Sequence, residues 1–332
     1  MLHKGVMMIY SKIIGTGSCF PEKVVTNKDL EKIVETTDEW IISRTGIKER
    51  RISNGNGTTD LAYNAALKAL EMAGVEKDCI DGIVCASITQ DTIMPPLSCE
   101  LQARLGLGGK LLAFDILAAC SGFIYASATA DSLIKTGIAK RILVIGAERL
   151  SAVTNWQDRS TCVLFGDGAG AAVLEESEQP GFRSFDLCAD GSIADLLTLE
   201  SLGTRFFDNR KHFDIENNLI KMKGNELFKV ASRAMCSSAE KALRLAGLNI
   251  EDIDYFIPHQ ANLRIIEMVA KILKIPMDRV IITIDKYGNT SAASIPTTLD
   301  IAIRDGKLKK GMNILMASFG GGITWGAGCF TL

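Results

Sequence analysis

The chain has 332 residues, 47% of them hydrophobic, and a net charge of −2 at neutral pH. That length supplies apolar side chains for one large core or two, and the near-neutral charge gives no indication of a nucleic-acid partner. Apolar runs stay shorter than the roughly 18 residues that a membrane-spanning helix needs, so no membrane association is expected.

The cysteine pattern argues against metal ligation and against disulfides. Nine cysteines are present, and no two of them have the C-x-x-C spacing, so no metal site is expected. The opening stretch MLHKGVMMIYSKIIGTG is too interrupted for a secretory signal. The sequence therefore predicts a cytoplasmic protein whose thiols are reduced.

The first strong pattern is a helix that runs into a buried strand, over Ala66–Ser87. It predicts a helix that ends at a glycine cap, Gly74, followed by a short acidic turn and an apolar strand. The same order returns over Ala239–Gln260, where Gly247 is the cap. The two stretches are about 173 residues apart, which is the separation of the two glycines.

The same shift recurs at a second place. Arg141–Leu150 and Asn313–Gly322 both read as continuous apolar strands, typical of sheets that are covered on both faces. A repeat this long predicts two duplicated α/β domains, residues 1–179 and 180–332, with the boundary in the loop sequence Glu178–Gly181. Two unrelated α/β domains that share helix-turn-strand order are the alternative.

One cysteine stands where a nucleophile would be useful. In DILAACSGF, Asp115–Phe123, small residues surround Cys120, and a helix that ends at Gly137 follows it. A helix N-terminus lowers the pKa of a thiol, and small neighbours leave the sulfur and the backbone N–H groups open to a substrate. An inert core thiol is the alternative and the usual role of a cysteine.

Histidine is scarce, and one of the three is well placed. His3 lies in the terminal segment and His212 in a polar loop. His259 ends an apolar strand just before a helix, where α/β proteins place groups that face a ligand. We therefore expect His259 to act with the cysteine, with a structural histidine as the alternative.

The repeat also relates Cys120 to a stretch that carries an amide. A shift of 173 moves the cysteine onto Ala293, inside YGNTSAASIP, so two strand-to-helix junctions are expected to face each other across a pseudo-twofold axis. Asn289 precedes the second helix, and its side-chain amide is a neutral donor for an enolate or oxyanion. A plain turn with Asn289 or Thr290 as the helix N-cap is the alternative.

Two glycine-rich stretches need separate interpretation. The three consecutive glycines of Ser318–Gly326 follow a strand and do not fit a dinucleotide or phosphate-loop fingerprint, but they permit close approach of the backbone to a substrate. The stretch Phe165–Val173 superficially resembles a nucleotide loop, yet it precedes a strand and not a helix.

The stretches ACSGF, HQAN, GNTSAASIP and FGGGITWG together resemble β-ketoacyl-acyl carrier protein synthase III, of the thiolase superfamily. TDEWIISRTGIKERR, FGDGAGAAVL and KMKGNELFKV match as well, and the order is that of the family over nearly the whole chain. The resemblance implies a thiolase-like, five-layered αβαβα fold of two duplicated halves. It also implies a catalytic triad of Cys120, His259 and Asn289, with the backbone N–H groups of Cys120 and Gly321 as the oxyanion hole.

The resemblance further implies residues for each substrate. Those expected to bind coenzyme A are Thr36, Trp40, Arg44, Arg159, Gly224 and Asn262. Those expected to bind the carrier protein are Lys229, Gln260, Ala261, Asn262, Leu263, Arg264, Lys271 and Lys274. Met94 stands at an acyl-pocket position that often carries an aromatic residue, and Ser121 stands where alanine is common. The loop Leu202–Asn218 is expected either to shape the mouth of the tunnel or only to cover it.

The implied reaction starts with an acyl-CoA primer that acylates Cys120. Malonyl-acyl carrier protein then loses CO₂ and attacks the acyl-cysteine, without a metal or redox cofactor and in a homodimer. The alternatives are an enzyme that primes a polyketide or other secondary metabolite, a thioesterase-like enzyme, and a catalytically silent acyl-CoA-binding protein. A true thiolase would need a second catalytic cysteine near the C-terminus, and Cys329 more plausibly packs in the last strand.

Overall fold

The computed structural model describes residues 9–200 and 219–332. Two main sheets, each built from one half of the chain, form the frame of the molecule. The loop Leu202–Asn218, which includes His212, lies outside the described residues, and so does His3. No helix within 9–200 and 219–332 is long and apolar enough to cross a membrane.

The first sheet uses residues before Gln179 and has five strands in the order β1-β7-β6-β4-β5. Strand β4 runs parallel to β5 and β6, whereas β7 is antiparallel to β1 and β6. A short ribbon of two strands, β2 and β3, lies beside it. The bounds are β1 Tyr10–Cys19, β2 Val24–Thr26, β3 Glu49–Arg51, β4 Gly82–Ala86, β5 Leu112–Ile116, β6 Arg141–Arg149 and β7 Asp167–Ser177.

The second sheet follows the same plan with the order β11-β12-β13-β8. Among the described strands its only parallel pair is β11 with β12, and the small pair β9 with β10 lies apart from it. The bounds are β8 Phe182–Ala189, β9 Leu197–Thr198, β10 Lys221–Met222, β11 Tyr255–Pro258, β12 Asn313–Gly320 and β13 Thr324–Thr331. The order β8-β13-β12-β11 repeats β1-β7-β6-β4, and the predicted boundary at 179/180 lies in the connection between β7 and β8.

The helices fill the layers on either side of the two sheets. Their bounds are α1 Asn27–Leu30, α2 Asp38–Thr45, α3 Thr58–Ala73, α4 Leu97–Leu105, α5 Gly122–Lys135, α6 Arg159–Cys162, α7 Gly224–Ala246, α8 Leu263–Leu273, α9 Ile284–Tyr287 and α10 Ser294–Arg304. Helices α3 and α4 cover the outer face of the first sheet, α5 and α10 lie between the sheets, and α7 and α8 cover the second. The expected five-layered αβαβα fold is therefore confirmed.

Strand alternation explains how three cores form from two sheets. In β4, Ile83 packs toward the outer helices while Val84 packs toward the central pair of helices. In β12, Leu315 faces outward and Met316 faces the centre. Because both faces of these strands are buried, the sequence reads as a continuous apolar run.

The predicted repeat is present, with one correction to its register. Helices α3 and α7 both end at left-handed glycines, Gly74 and Gly247, as predicted. At the two strand-to-helix junctions, however, the matching backbone positions are Ala119 and Ser291, 172 residues apart. The counterpart of Cys120 is therefore Ala292 and not Ala293, because the connections before the two junctions differ by one residue in length.

Candidate active site

Two strained turns bring the candidate residues together. The chain leaves β5 and enters α5 through a 3-10 turn, Ala119–Ser121, and it enters α10 through a second one, Ser291–Ala293. Both turns begin with a residue in the left-handed region, with φ of 45° at Ala119 and 49° at Ser291. A residue other than glycine rarely adopts this backbone conformation unless the surrounding contacts impose it, and such residues are concentrated at functional sites.

Contacts from the second sheet hold the turn that carries Cys120 in place. The Oγ of Ser318 donates to the carbonyl of Cys120 at 2.8 Å, and the Oγ of Ser121 donates to the carbonyl of Thr324 at 2.9 Å. A Cβ at Gly320 would lie 2.7 Å from the backbone N of Cys120, so only glycine fits there. The end of β12 thus holds the cysteine against the glycine turn that carries Gly321.

The environment of the Cys120 sulfur differs from the sequence prediction. Burial raises the pKa of the thiol to about 12, and the nearby carboxylate of Glu148 contributes to this increase. Hydrogen bonds from the Ser291 hydroxyl and from the backbone N–H groups of Cys120 and Gly321 lower it. The expectation that the helix N-terminus gives a lowered pKa is therefore wrong, because desolvation outweighs the favourable dipole and hydrogen bonds.

His259 is held in its neutral form at the end of β11. Its residue is 3% exposed, and burial lowers the pKa of the imidazole to about 3. The Nδ1 atom lies 2.6 Å from the Oγ of Ser294, which also accepts the backbone N–H of Gln260 at 3.4 Å. When the Ser294 hydroxyl donates to Nδ1, the proton of the neutral imidazole is on Nε2, which is then a donor to the cavity.

Asn289 is oriented by the turn that follows it. Its Oδ1 accepts the backbone N–H of Ser291 at 2.8 Å, so the Nδ2 group is free to donate toward the cavity. Its backbone N–H donates to the carbonyl of Leu164 at 2.8 Å, and its carbonyl accepts the N–H of Gly166 at 3.0 Å. These bonds fix the asparagine on the loop before β7.

A single cavity of about 1120 Å³ joins these groups. Cys120, His259, Asn289, Gly321 and Ser291 all line it. Its inner walls are mainly apolar and include Leu150, Val163, Leu164, Phe165, Leu197, Leu227, Met235 and Phe319. The cavity can therefore admit an apolar chain that ends at the sulfur, with neutral donors on the opposite side.

The mouth of the cavity carries positive charge. The guanidinium groups of Arg44 and Arg159 both contact the ring of Trp40, at 5.0 Å and 4.7 Å from its centroid. Arg264 and Lys229 also line the cavity, whereas no carboxylate does so among the described residues. Such a mouth suits a ligand that carries phosphate groups and a flat ring system.

Most of the residues expected to bind substrates line this cavity. Those that do are Trp40, Arg44, Arg159, Gly224, Lys229, Ala261, Asn262 and Arg264. Asn262 caps α8 and donates to the carbonyl of Arg44 at 3.0 Å, which ties that helix to α2. Lys271 and Lys274 do not line the cavity; both are exposed toward the far end of α8.

Four of the expected residues do not fit their predicted roles in the single chain. Met94 is 86% exposed and does not line the cavity, because its turn carries the side chain into solvent. Gln260 is 1% exposed and bonds within the fold, its Nε2 to the carbonyl of Pro258 and its Oε1 to the N–H of Thr283, so it offers no carrier-protein contact. Leu263 packs on Gly46, and the Oγ1 of Thr36 is buried away from the cavity.

The cysteine near the C-terminus does not belong to the site. Cys329 is fully buried in β13, opposite Leu315, and burial raises the pKa of its thiol to about 12. It does not line the cavity. This agrees with the prediction that it packs in the last strand and disfavours a thiolase with a second catalytic cysteine.

Sequence reasoning missed three residues around the triad: Glu148, Ser291 and Ser294. Glu148 had a usable signal, since it is a carboxylate at the end of the continuous apolar strand RILVIGAERL. A charge in a buried strand needs partners and is a candidate functional group. The two serines carry no comparable signal, because serine is frequent at helix starts.

Comparisons with known proteins agree with this geometry. A profile described as 3-oxoacyl-[acyl-carrier-protein (ACP)] synthase III matches residues 114–191, and the profile of its C-terminal part matches 243–332. A β-ketoacyl-[acyl-carrier-protein] synthase III of Xanthomonas campestris pv. campestris is 52% identical over 321 residues, 96% of this chain and 97% of that protein.

Solved structures give the same result. The crystal structure of 3-oxoacyl-[acyl-carrier-protein] synthase III from Aquifex aeolicus VF5 is 49% identical, covers 97% of this chain and 100% of that one, and has a TM-score of 0.90. The priming β-ketosynthase of the R1128 polyketide pathway is 35% identical over 97% of this chain and 96% of that one, with a TM-score of 0.91.

Proposed function

The chain belongs to the 3-oxoacyl-[acyl-carrier-protein] synthase III family of condensing acyltransferases, and on that premise we propose that it condenses a short acyl-CoA primer with malonyl-acyl carrier protein. One observation carries the proposal: a thiol, a neutral imidazole and a carboxamide line the same cavity, behind a cationic mouth. The 52% identity to an enzyme named for this synthase favours initiation of fatty acid synthesis over the priming of a polyketide.

In the first half-reaction, Cys120 takes the acyl group. Its sulfur attacks the thioester carbon, and the tetrahedral oxyanion is stabilised by the backbone N–H groups of Cys120 and Gly321. Both N–H groups lower the pKa of the Cys120 thiol, which supports their role as donors close to the reacting atoms. Coenzyme A leaves as the thiolate, and the acyl chain occupies the apolar part of the cavity.

In the second half-reaction, His259 and Asn289 stabilise the enolate that forms as CO₂ leaves. Both groups are neutral donors, the imidazole through Nε2 and the carboxamide through Nδ2. Their hydrogen bonds strengthen as charge develops on the thioester oxygen, so they bind the transition state more tightly than the ground state. The carbanion then attacks the acyl-cysteine and releases a β-ketoacyl thioester.

The mouth of the cavity supports binding of both carriers. The stacked set of Arg44, Trp40 and Arg159 suits the adenine and phosphates of coenzyme A, with Gly224 and Asn262 beside it. Arg264 and Lys229 at the same mouth, with Lys271 and Lys274 further along α8, suit an acidic carrier protein. Each step is assigned to the chain's own groups, with no metal or redox cofactor.

The exposed edge of the first sheet supports a homodimer. Among the described strands, β5 pairs only with β4, so its other edge has free N–H and C=O groups. Ile93 and Leu117 are exposed apolar side chains that line the cavity, and Leu117 directly follows β5. A second copy of the chain that pairs with this edge would bury them. All nine cysteines are free, which supports a cytoplasmic location.

The proposal is tested by separating the two half-reactions. Intact-mass analysis with a panel of acyl-CoAs should show one acyl group on Cys120, and Cys120→Ala should remove it while malonyl decarboxylation continues. His259→Ala and Asn289→Ala should still take the acyl group but decarboxylate about 10²–10³ times more slowly. Cys329→Ala is the matched control and should do both.

The contrary outcomes are distinct. Condensation by Cys120→Ala would refute the nucleophile. Steady release of free acid from acyl-CoA without a malonyl donor would favour the thioesterase-like alternative. A Cys120 thiol that iodoacetamide labels no faster than a model thiol, with no acyl transfer, would favour a silent binding protein.

A further inference from the structure

A carboxylate that the reaction scheme does not use lies close enough to Cys120 to affect the pKa of its thiol. Glu148, at the end of β6, is fully buried, and within residues 9–200 and 219–332 it forms no ion pair. Its Oε2 accepts a short hydrogen bond from Thr89 and the backbone N–H of Ile88 at 3.2 Å. A buried carboxylate that is satisfied by neutral donors alone is unusual, because charge burial normally requires a cation or a neutral, protonated state.

The hydroxyl of Ser291 connects this carboxylate to the nucleophile. Its Oγ donates to Oε1 of Glu148 at 3.0 Å, and the turn that carries it packs against the turn that carries Cys120. Both side chains line the cavity, and the hydroxyl lowers the pKa of the thiol. A serine hydroxyl has one proton and two lone pairs. When that proton points to Glu148, the oxygen can accept the S–H proton of Cys120, so a directed path runs from the thiol through the hydroxyl to the carboxylate.

We propose that Ser291 and Glu148 form a proton relay that accepts the thiol proton of Cys120 during acylation and returns it after condensation. The inference rests on the proposed function and deepens it. As the Cys120 sulfur forms its bond to the acyl carbon, the S–H proton moves to Ser291 Oγ and the Ser291 proton moves to Glu148. Coenzyme A leaves as a thiolate and takes a proton from water.

The second half-reaction restores the starting state. When the malonyl-derived carbanion attacks the acyl-cysteine, the bond between sulfur and carbon breaks and Cys120 is released as a thiolate. Glu148 returns its proton through Ser291, so that the thiol and the carboxylate are regenerated together. Over the whole cycle one proton is taken from solvent, which balances the loss of CO₂ from the malonyl carboxylate.

The electrostatics of the pair agree with this role. Burial raises the pKa of Glu148 to about 7, although its hydrogen bonds oppose the shift, so its base form is available at neutral pH. Cys120 faces it from the turn before α5, and Glu148 raises the pKa of that thiol. Arg149, next along β6, has its charge near Asp167 from the neighbouring strand β7. A thiol with a pKa of about 12 needs such an acceptor, because it supplies almost no thiolate by itself.

The test is single-turnover acylation by acyl-CoA, measured against pH and without a malonyl donor. In the wild-type protein the rate should rise with pH through about 7 and then level off, as Glu148 loses its proton. Ser291→Ala and Glu148→Gln should each slow acylation on the order of 10²-fold, and the rate should keep rising with pH because only free thiolate reacts. The double variant should be no slower than the slower single variant, since both break one path.

Controls separate the relay from a loss of folding or of the proposed function. Ser11→Ala removes another buried serine-to-carboxylate hydrogen bond, to Asp131 in α5, and should keep the wild-type pH profile. Malonyl decarboxylation should persist in Ser291→Ala. If Glu148→Gln does not fold, the pH profile of Ser291→Ala alone decides whether the relay exists.

Two results would overturn the inference. If the acylation rate of Ser291→Ala levels off near pH 7 as that of the wild-type protein does, the relay is refuted and the proposed function remains intact. A wild-type protein that is never acylated on Cys120 would remove both.

Discussion

At the scale of single residues, neutrality is the property that the site imposes on His259. Burial lowers the pKa of its imidazole to about 3, far below the usual value, so the neutral form persists at every pH above that. We therefore predict that malonyl decarboxylation by Cys120→Ala, which isolates the second half-reaction, is independent of pH between 5 and 8. The rate of CO₂ release across that range is the measurement.

A matched variant tests why the imidazole acts as a donor. Ser294→Ala removes the hydrogen bond to Nδ1 and should slow decarboxylation about fivefold, the effect of one hydrogen bond, while acylation of Cys120 is unchanged. A decarboxylation rate that falls along a single titration near pH 6.5 would contradict the neutral imidazole.

Residue chemistry was only partly predictable from the sequence. Cys120, His259 and Asn289 could be selected because small neighbours, scarcity and position at strand ends are local features of the chain. The raised pKa of Cys120 could not be predicted from the sequence, because it depends on how much protein surrounds the sulfur after folding. Gln260 shows the same limit: its polar side chain is expected at the surface, but it is buried and bonded to the backbone of Pro258, Ile281 and Thr283.

At the scale of elements, the last residue of β12, Gly320, determines where the nucleophile lies. A Cβ on Gly320 would lie 2.7 Å from the backbone N of Cys120 and 3.1 Å from that of Ser121, and neither backbone atom can move without shifting the turn. We predict that Gly320→Ala slows Cys120 acylation on the order of 10²-fold, since it displaces an oxyanion donor, and lowers the free energy of unfolding by about 1–3 kcal/mol. Single-turnover acylation and chemical denaturation are the measurements.

Gly191→Ala is the matched control for this prediction. A Cβ there would have no heavy atom within 4 Å, and its backbone is not left-handed, so both rate and stability should stay near wild type. Equal effects of the two substitutions would show that the close approach at Gly320 does not position the cysteine.

Elements themselves were predicted well where a local signal marks their ends. Gly74 and Gly247 end α3 and α7 because a left-handed cap is cheapest for glycine. The turns at Ala119 and Ser291 were read as simple helix starts, because nothing in an alanine or a serine indicates a positive φ. That conformation comes from contacts with the other half of the chain, such as the bond from Ser318 to Cys120.

At the scale of the whole molecule, duplication accounts for the position of the site and for the difference between its two halves. The nucleophile follows the edge strand of the first sheet, and Asn289 precedes the equivalent turn of the second. Within residues 9–200 and 219–332, β5 has no counterpart strand in the second sheet, where β11 is the edge and Phe256 forms an isolated bridge to Val280. The first sheet therefore has the more open edge, and its chain continues directly into Leu117 and the cysteine turn.

This asymmetry leads to a prediction about assembly. Leu117 is 75% exposed although it lies three residues before Cys120 and lines the cavity, so a solvent-exposed leucine stands beside the reacting sulfur. If a second copy pairs with β5, it covers Leu117; Leu117→Lys would then place a charge in the contact and should convert the dimer to a monomer. Light scattering after gel filtration measures the mass.

Leu245→Lys, at a leucine 59% exposed on the outer helix α7, is the matched control and should leave the dimer intact. A wild-type protein that is monomeric at every accessible concentration, or a Leu117→Lys variant that stays dimeric, would exclude this edge as the interface.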